Sequence, residues 1–292
     1  MKNSISFLVL MAALAVSQAA FAQQLPSGSE LMVGYYGRPG AGSLGVLGQS
    51  SIEELVPKVK AKADEYARAS GKRTVTPVFH LIYGLASSVP GRDKDYLLPL
   101  SDEKVMAYID AAKTHGFAVI IDSQLGELTP MEAIKPVLKY LKYENVHLAI
   151  DPEFEVHGLD VRPGKVIGHV SAEEVNQVQS AMTDYMKQNG IEESKMLIVH
   201  SFTPNMLKDK EKLKKYEMID LVLNLDGHGS PRLKVAIYNQ LYTKAISSKM
   251  AGGFKLFFKE DKPSLMTPKQ VLGMEPVGST KINVPPQYIN FQ

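Results

Sequence analysis

The 292-residue chain contains no cysteine. That absence excludes disulfides, thiolate metal sites, cysteine nucleophiles and lipid attachment at a cysteine. A chain of this size can hold together without such cross-links by burying a large core. Charge of one sign is equally scarce. The 33 Lys and Arg against 31 Asp and Glu leave a formal net charge of +2, shared by mixed-sign helices, so no nucleic-acid partner is expected. Beyond the first residues no segment approaches the ~18 apolar residues of a spanning helix, and no stable membrane insertion is expected.

The one apolar run near the start has its own grammar. Lys2 supplies positive charge, Ile5 to Val16 forms a short apolar stretch, and Ala20-Phe21-Ala22 is a small-x-small cleavage motif. Residues 1–22 therefore read as a signal peptide, and 23–292 as the mature chain, periplasmic or secreted. An uncleaved anchor is the competing reading, disfavoured by the short run.

Along the mature chain, apolar β-type runs alternate with amphipathic helical stretches. Strands are expected at Leu31–Tyr36, Val75–Ile82, Phe117–Ile121, Val146–Ile150, Met196–Val199, Leu221–Leu225, Gly253–Phe258 and Tyr288–Phe291. Helices are expected over Ile52–Ala69, from Ser101 to about His115, from Thr129-Pro130-x-Glu132, from Ser171 to about Gln188, over Pro231–Ser248, and briefly from Thr267-Pro268. Ser101 has the form of an N-cap, Ser171 with Glu174 that of a capping box, and Pro130 suits a first helical turn. Eight β units with helices between them in about 270 residues fit an α/β chain folded as a single (β/α)8 TIM-type barrel. An open doubly wound sheet would place a Gly-rich dinucleotide loop after the first strand. Residues 37–45 hold glycines, but GxGxxG is not in phase and no Walker Lys-Ser/Thr follows.

Barrels present chemistry at the C-terminal ends of their strands. Read in order, those ends offer Tyr35, Tyr36 and Arg38; His80 and Tyr83; Asp122 and Gln124; Asp151 and Glu153; His200 and Phe202; Asp226 and His228; and Lys255, with Lys259 and Asp261 nearby. Asp151 and Glu153 are two apart, so on an extended backbone they share a side. Paired carboxylates push one pKa up, leaving an acid beside an ionised base or nucleophile, the division of labour that glycosidic cleavage requires. Glu153, with the longer arm, is the expected general acid. Asp151, Asp122 and Asp226 compete for the partner role, and Tyr35, Tyr36, Tyr83 and Phe202 would offer flat faces to sugar rings. Arg38, His80, Gln124, His200, His228 and Lys255 complete the expected substrate contacts.

Each of these has a plainer reading beside it. Asp151-Pro152 is also ordinary turn chemistry, His80 and His200 are also core or rim histidines, Asp226-Gly227-His228-Gly229 is also a flexible loop, and Glu155, Asp160 and Arg162 read as loop surface. Ser123 and Ser201 lack a nucleophile elbow. No cofactor is expected for a carboxylate mechanism. The same acids and histidines could instead serve a divalent ion in a metal-dependent phosphodiesterase, although no HxxxH or HxH spacing and no EF-type loop is present. A non-catalytic barrel that binds a carbohydrate or anion is the third reading.

Three stretches carry a resemblance: Tyr36-Gly37-x-Pro39-Gly40 with Leu44-Gly45-Val46-Leu47-Gly48, Leu148-Ala149-Ile150-Asp151-Pro152-Glu153-Phe154, and Asp226-Gly227. With them the chain resembles a family of largely uncharacterised secreted bacterial proteins of glycoside-hydrolase-like (β/α)8 barrel type. The Asp-x-Glu at 151–153 is also similar to one in some secreted muramidases of barrel fold. The resemblance implies the barrel and a carbohydrate ligand, and leaves the substrate open.

Overall fold

The computed structural model describes residues 30–71 and 73–292, so the signal-peptide reading lies outside the described residues. At its centre are eight parallel strands: β1 (Glu30–Gly37), β2 (Thr74–Ala86), β3 (Ala118–Gln124), β4 (Val146–Asp151), β5 (Lys195–Ser201), β6 (Ile219–Leu225), β7 (Ala251–Leu256) and β8 (Tyr288–Phe291). Each pairs with the next in sequence, and β8 returns to pair with β1, Tyr35 lying opposite Phe291. The sheet is therefore closed, with no free edge among the barrel strands, and the chain is a TIM-type barrel. A short hairpin arm, Leu97–Pro99, adds antiparallel to the end of β2.

Helices α1 (Ile52–Ser70), α2 (Asp102–His115), α3 (Pro130–Ile134), α4 (Ala172–Gln188), α5 (Pro231–Leu241), α6 (Lys244–Ser247) and α7 (Pro268–Val271) follow in chain order. Their starts obey local chemistry. Ser51, Thr129, Ser171 and Thr267 each accept the N–H three residues on, and the Glu54, Glu132, Glu174 and Gln270 side chains accept the cap's own N–H in return. Each such cap is worth about 1 kcal/mol. Gly116 closes α2 in the left-handed region at φ 69°, its N–H meeting the Ala112 and Lys113 carbonyls.

Two readings, the 231–248 helix and the exposure of Glu155, need correction, and the helix start at Thr129-Pro130 forms as expected. The helix expected over 231–248 is two helices, because Tyr242 leaves helical geometry to bury its ring and donate its hydroxyl to Met250 O, and Thr243 caps a new start. The helix begun at Pro130 lasts five residues before tightening into a 3-10 run, Lys135–Lys142, where Pro136 lacks the N–H an α-helix would use. Glu155 is buried rather than surface: its carboxylate accepts the His157 and His169 N–H groups, at 2.7 and 3.3 Å, and ties down the loop between them. In addition, the 202–218 connection carries a 3-10 turn, Lys210–Lys212, and no α-helix.

Strand alternation divides the core in two. One set of residues, including Leu31, Val33, Phe79, Leu81, Ile121, Leu148 and Val199, packs outward against the helices. The other, including Met32, Val78, Ala118, Ile120, Ala149, Ile198 and Val222, fills the barrel's lower interior. Each fully buried aliphatic side chain contributes roughly 1.5–3 kcal/mol. The glycines after β1 serve the same close packing. Gly45 holds φ +93°, and a Cβ there would lie 2.4 Å from Tyr36 O; one on Gly48 would lie 2.1 Å from Ala41 O.

Candidate active site

Above the apolar layer the same inward positions turn polar. Two residues beyond Val78, Ile120, Ile198 and Val222 come His80, Asp122, His200 and Asn224, and from β7 and β8 come Lys255 and Asn290. All six are buried. Asp122 sits between the imidazoles, its Oδ2 3.2 Å from His80 Nε2 and 3.2 Å from His200 Nε2. On the far side of each ring, His80 Nδ1 lies 2.6 Å from the Tyr288 hydroxyl and His200 Nδ1 lies 2.9 Å from Asp226 Oδ2. Lys255 Nζ stands 3.9 Å from the same Asp226 oxygen and 3.6 Å from the centre of the Tyr36 ring. The Tyr36 ring in turn meets His80 and His200 edge-on.

Burial opposes charge on both histidines, but their neighbours differ. At His80 burial prevails and lowers the pKa to about 4. At His200 Asp122 and Asp226 together outweigh burial and raise it to about 10. Burial likewise works to raise Asp122 and Asp226, yet the adjacent imidazoles, His200 foremost, hold both below the ordinary carboxylate value.

The cleft lies over this network, a cavity of about 460 Å³ at the C-terminal strand ends. Asp151, Glu153, Asp226 and Lys255 line it with Gln124, Tyr36, Phe154, Phe202, His228 and Phe257. Asp151 and Glu153 reach it by a route other than extended alternation. The strand stops at Asp151, Pro152–Phe154 makes one 3-10 turn, and the Asp151 carboxylate accepts the Glu153 N–H at 3.0 Å. Asp151 thus both caps the turn and lines the cleft, so its two readings coexist. Burial raises the Asp151 pKa. Burial, then the charges of Asp151 and Asp226, raise Glu153 from 4.5 to about 7.

Other expected residues fall elsewhere. Tyr35 faces outward and meets Phe258 and Phe291 edge-on, because only every second residue of β1 looks into the barrel. Tyr83 packs in the outer core. The Arg38 guanidinium donates to the Ile82 and Tyr83 carbonyls at 3.1 and 2.8 Å, pinning the end of β2. His80, Asp122 and His200 lie beneath the cleft floor, fully buried, and do not line it. Gln124 lines the cleft while its Oε1 accepts the Ala86 N–H.

The Asp226-Gly227-His228-Gly229 turn, read as flexible, is anchored. Lys234 Nζ donates to Gly227 O at 2.8 Å and pairs with buried Asp261 at 3.0 Å, and Asp261 accepts the Gly229 N–H. Lys234, Asn224, Tyr288, Asn290, Phe154 and Phe257 had no place in the sequence reading of the site. Polar residues at alternate positions of the apolar strands β6 and β8 were the available signal for Asn224, Tyr288 and Asn290.

A further hollow of about 370 Å³ at the opposite end of the barrel is lined by residues such as Thr76, Lys113, Asn145 and Glu193. Because the perturbed acids meet at the C-terminal end, the cleft there is the candidate site.

No family description matches the chain, and no curated protein does. Among solved structures it is similar to a cellulase, Cel5C_n, at 15% identity and a TM-score of 0.41, over 77% of this chain and 64% of that one. A family GH13_31 enzyme is similar at 9% identity and a TM-score of 0.27, over 78% and 58%. The chain spans less than two thirds of the length of either. At these scores neither neighbour carries an argument, and the barrel rests on its own strand order.

Proposed function

We propose that this barrel is a glycan hydrolase in which Glu153 is the general acid and Asp226 the ionised partner carboxylate. The observation that carries this reading is the opposite perturbation of two carboxyls lining one cleft. Burial and like charge keep Glu153 protonated up to about pH 7, while His200 keeps Asp226 ionised despite burial. One group can give a proton to a leaving oxygen, and the other can stabilise positive charge or attack the sugar, as a two-carboxylate mechanism needs. Asp151 shares the wall with Glu153 and is the proposed tuner of its pKa. Phe154, Phe202 and Phe257 supply apolar faces for sugar rings, and Lys255, His228 and Gln124 supply polar contacts. Asp122, buried below, orients His200 rather than touching substrate. A secreted or periplasmic address, carried by the residue 1–22 reading, makes cell-wall glycan or exopolysaccharide the proposed substrate class.

The test is turnover of soluble glycans and peptidoglycan by reducing-end release, comparing wild type with Glu153→Gln. Loss of turnover with ligand affinity retained supports the assignment. An unchanged rate in Glu153→Gln overturns it, and binding without turnover in the wild type makes the barrel a carbohydrate-binding protein.

A further inference from the structure

Beneath the cleft floor two buried imidazoles converge on one oxygen of a buried carboxylate. Asp122 Oδ2 lies 3.2 Å from both Nε2 atoms, close enough for ion pairs but without the alignment of a good hydrogen bond. All three side chains have no solvent exposure. Such contacts satisfy the three groups only in part, so a cation that engages all of them at once would be favoured there.

The donor set has the chemistry and spacing of a cation site. Two imidazole nitrogens and a carboxylate oxygen, from three neighbouring or near-neighbouring strands, lie within 4.8 Å of one another. Bonds of about 2.0–2.1 Å in a tetrahedral shell put ligand atoms about 3.3 Å apart, close to the two 3.2 Å separations here. The outer partners are also in place. The contact of His200 Nδ1 with Asp226 at 2.9 Å, and of His80 Nδ1 with the Tyr288 hydroxyl at 2.6 Å, occupy the far nitrogens and orient both rings. A carboxylate or hydroxyl behind each ligating histidine is the usual way such rings are fixed and made more basic.

We propose that His80, Asp122 and His200 bind one borderline divalent cation of zinc type. Nitrogen donors select against calcium and magnesium, which favour all-oxygen shells. Tyr36 and Lys255 stand between the cluster and the cleft, so the ion is a structural part of the cleft floor. It ties β2, β3 and β5 together at the level where the core turns polar.

The experiment is titration of the chelator-stripped full chain with Zn²⁺. It is read by native mass spectrometry, calorimetry and the ¹⁵N resonances of the histidine side chains. The expected result is one Zn²⁺ per chain at a Kd on the order of micromolar or tighter, with the ring nitrogens of His80 and His200 shifting. Ca²⁺ should bind at least about 100-fold more weakly. His80→Ala and His200→Ala should each weaken Zn²⁺ by about 100-fold or more, and Asp226→Asn by roughly 10–100-fold. Absence of Zn²⁺ binding, or binding that shifts only the exposed histidines His115, His157, His169 and His228, overturns the proposal. So does equal affinity in folded His80→Ala and His200→Ala. The resonance readout needs no variant, so a substitution that fails to fold leaves the test intact. No substrate enters the measurement, so its outcome is separate from that of the Glu153 assignment.

Discussion

In the lower interior of the barrel, Val78, Ile120, Ile198, Val222 and Tyr288 face one another across the axis. Two residues further along the same strands, the facing groups are His80, Asp122, His200, Asn224 and Asn290. Backbone, burial and alternation are the same in both layers, and only the chemistry differs. The lower layer gains from removal from water. The upper layer loses hydration and recovers it only through mutual pairing, so its charges are held in states that water would not favour. Stability and reactivity are thus stacked along one axis, an arrangement open to being taken apart one layer at a time.

The largest effect is expected at the rim. Glu153→Gln should lower kcat on a cleaved glycan by about 10²- to 10⁴-fold while leaving the denaturation midpoint near or above that of the wild type. Steady-state kinetics with urea melts checks both halves. The converse break is Ile198→Ala in the lower layer, a fully buried site. It should cost about 2–5 kcal/mol of unfolding free energy with kcat per folded molecule unchanged. A comparable loss of kcat there would erase the distinction between layers.

A smaller effect sharpens the comparison through pH. Because Glu153 is raised from 4.5 to about 7, the folded chain holds a proton that the unfolded chain has released between those values. Its contribution to stability therefore falls as pH rises through that window, and is lowest above pH 7. Glu153→Gln should match wild type below about pH 4.5 and exceed it at pH 8 by roughly 1–2 kcal/mol, less than the full linkage because the side chain is partly exposed. Urea midpoints across pH 4–8 give the answer, and a wild-type advantage at pH 8 would contradict it. In the same frame, wild-type kcat/KM should decline above about pH 7 as the acid deprotonates. Smallest is Ser171→Ala, which removes a cap far from both layers. It should cost about 1 kcal/mol in thermal or urea unfolding and nothing in turnover.

Much of the scaffold was legible because its causes are local. Thr129 with Glu132 and Ser171 with Glu174 announce helix starts within four residues, and both form. The strands from Leu31 to Phe291 were legible as apolar runs, and their count led to the barrel. What failed was decided by partners distant in the chain. Tyr35 and Tyr36 are adjacent aromatics, and only the position of the barrel axis says which one looks inward. Glu155 has the composition of a surface loop, yet His169 folds back to bury it. The helix over 231–248 was broken by Tyr242 finding its place in the core. No local spacing joins His80, Asp122 and His200, which are separated by more than forty residues at each step and meet only through strand register.

The residue types at 151–153 and at the other strand ends, and the two-residue alternation of the strands, were written in the chain itself. Propensity, capping and burial act over a few residues, and so the elements and the acids at their ends followed from the sequence alone. Closure of β8 onto β1 decided the rest. It chose which side of each strand became interior, seated Asp122 between two imidazoles, and brought half-buried Glu153 near Asp151 and Asp226. These outcomes depend on desolvation and on charges brought within a few ångströms of one another, which exist only once the barrel is shut.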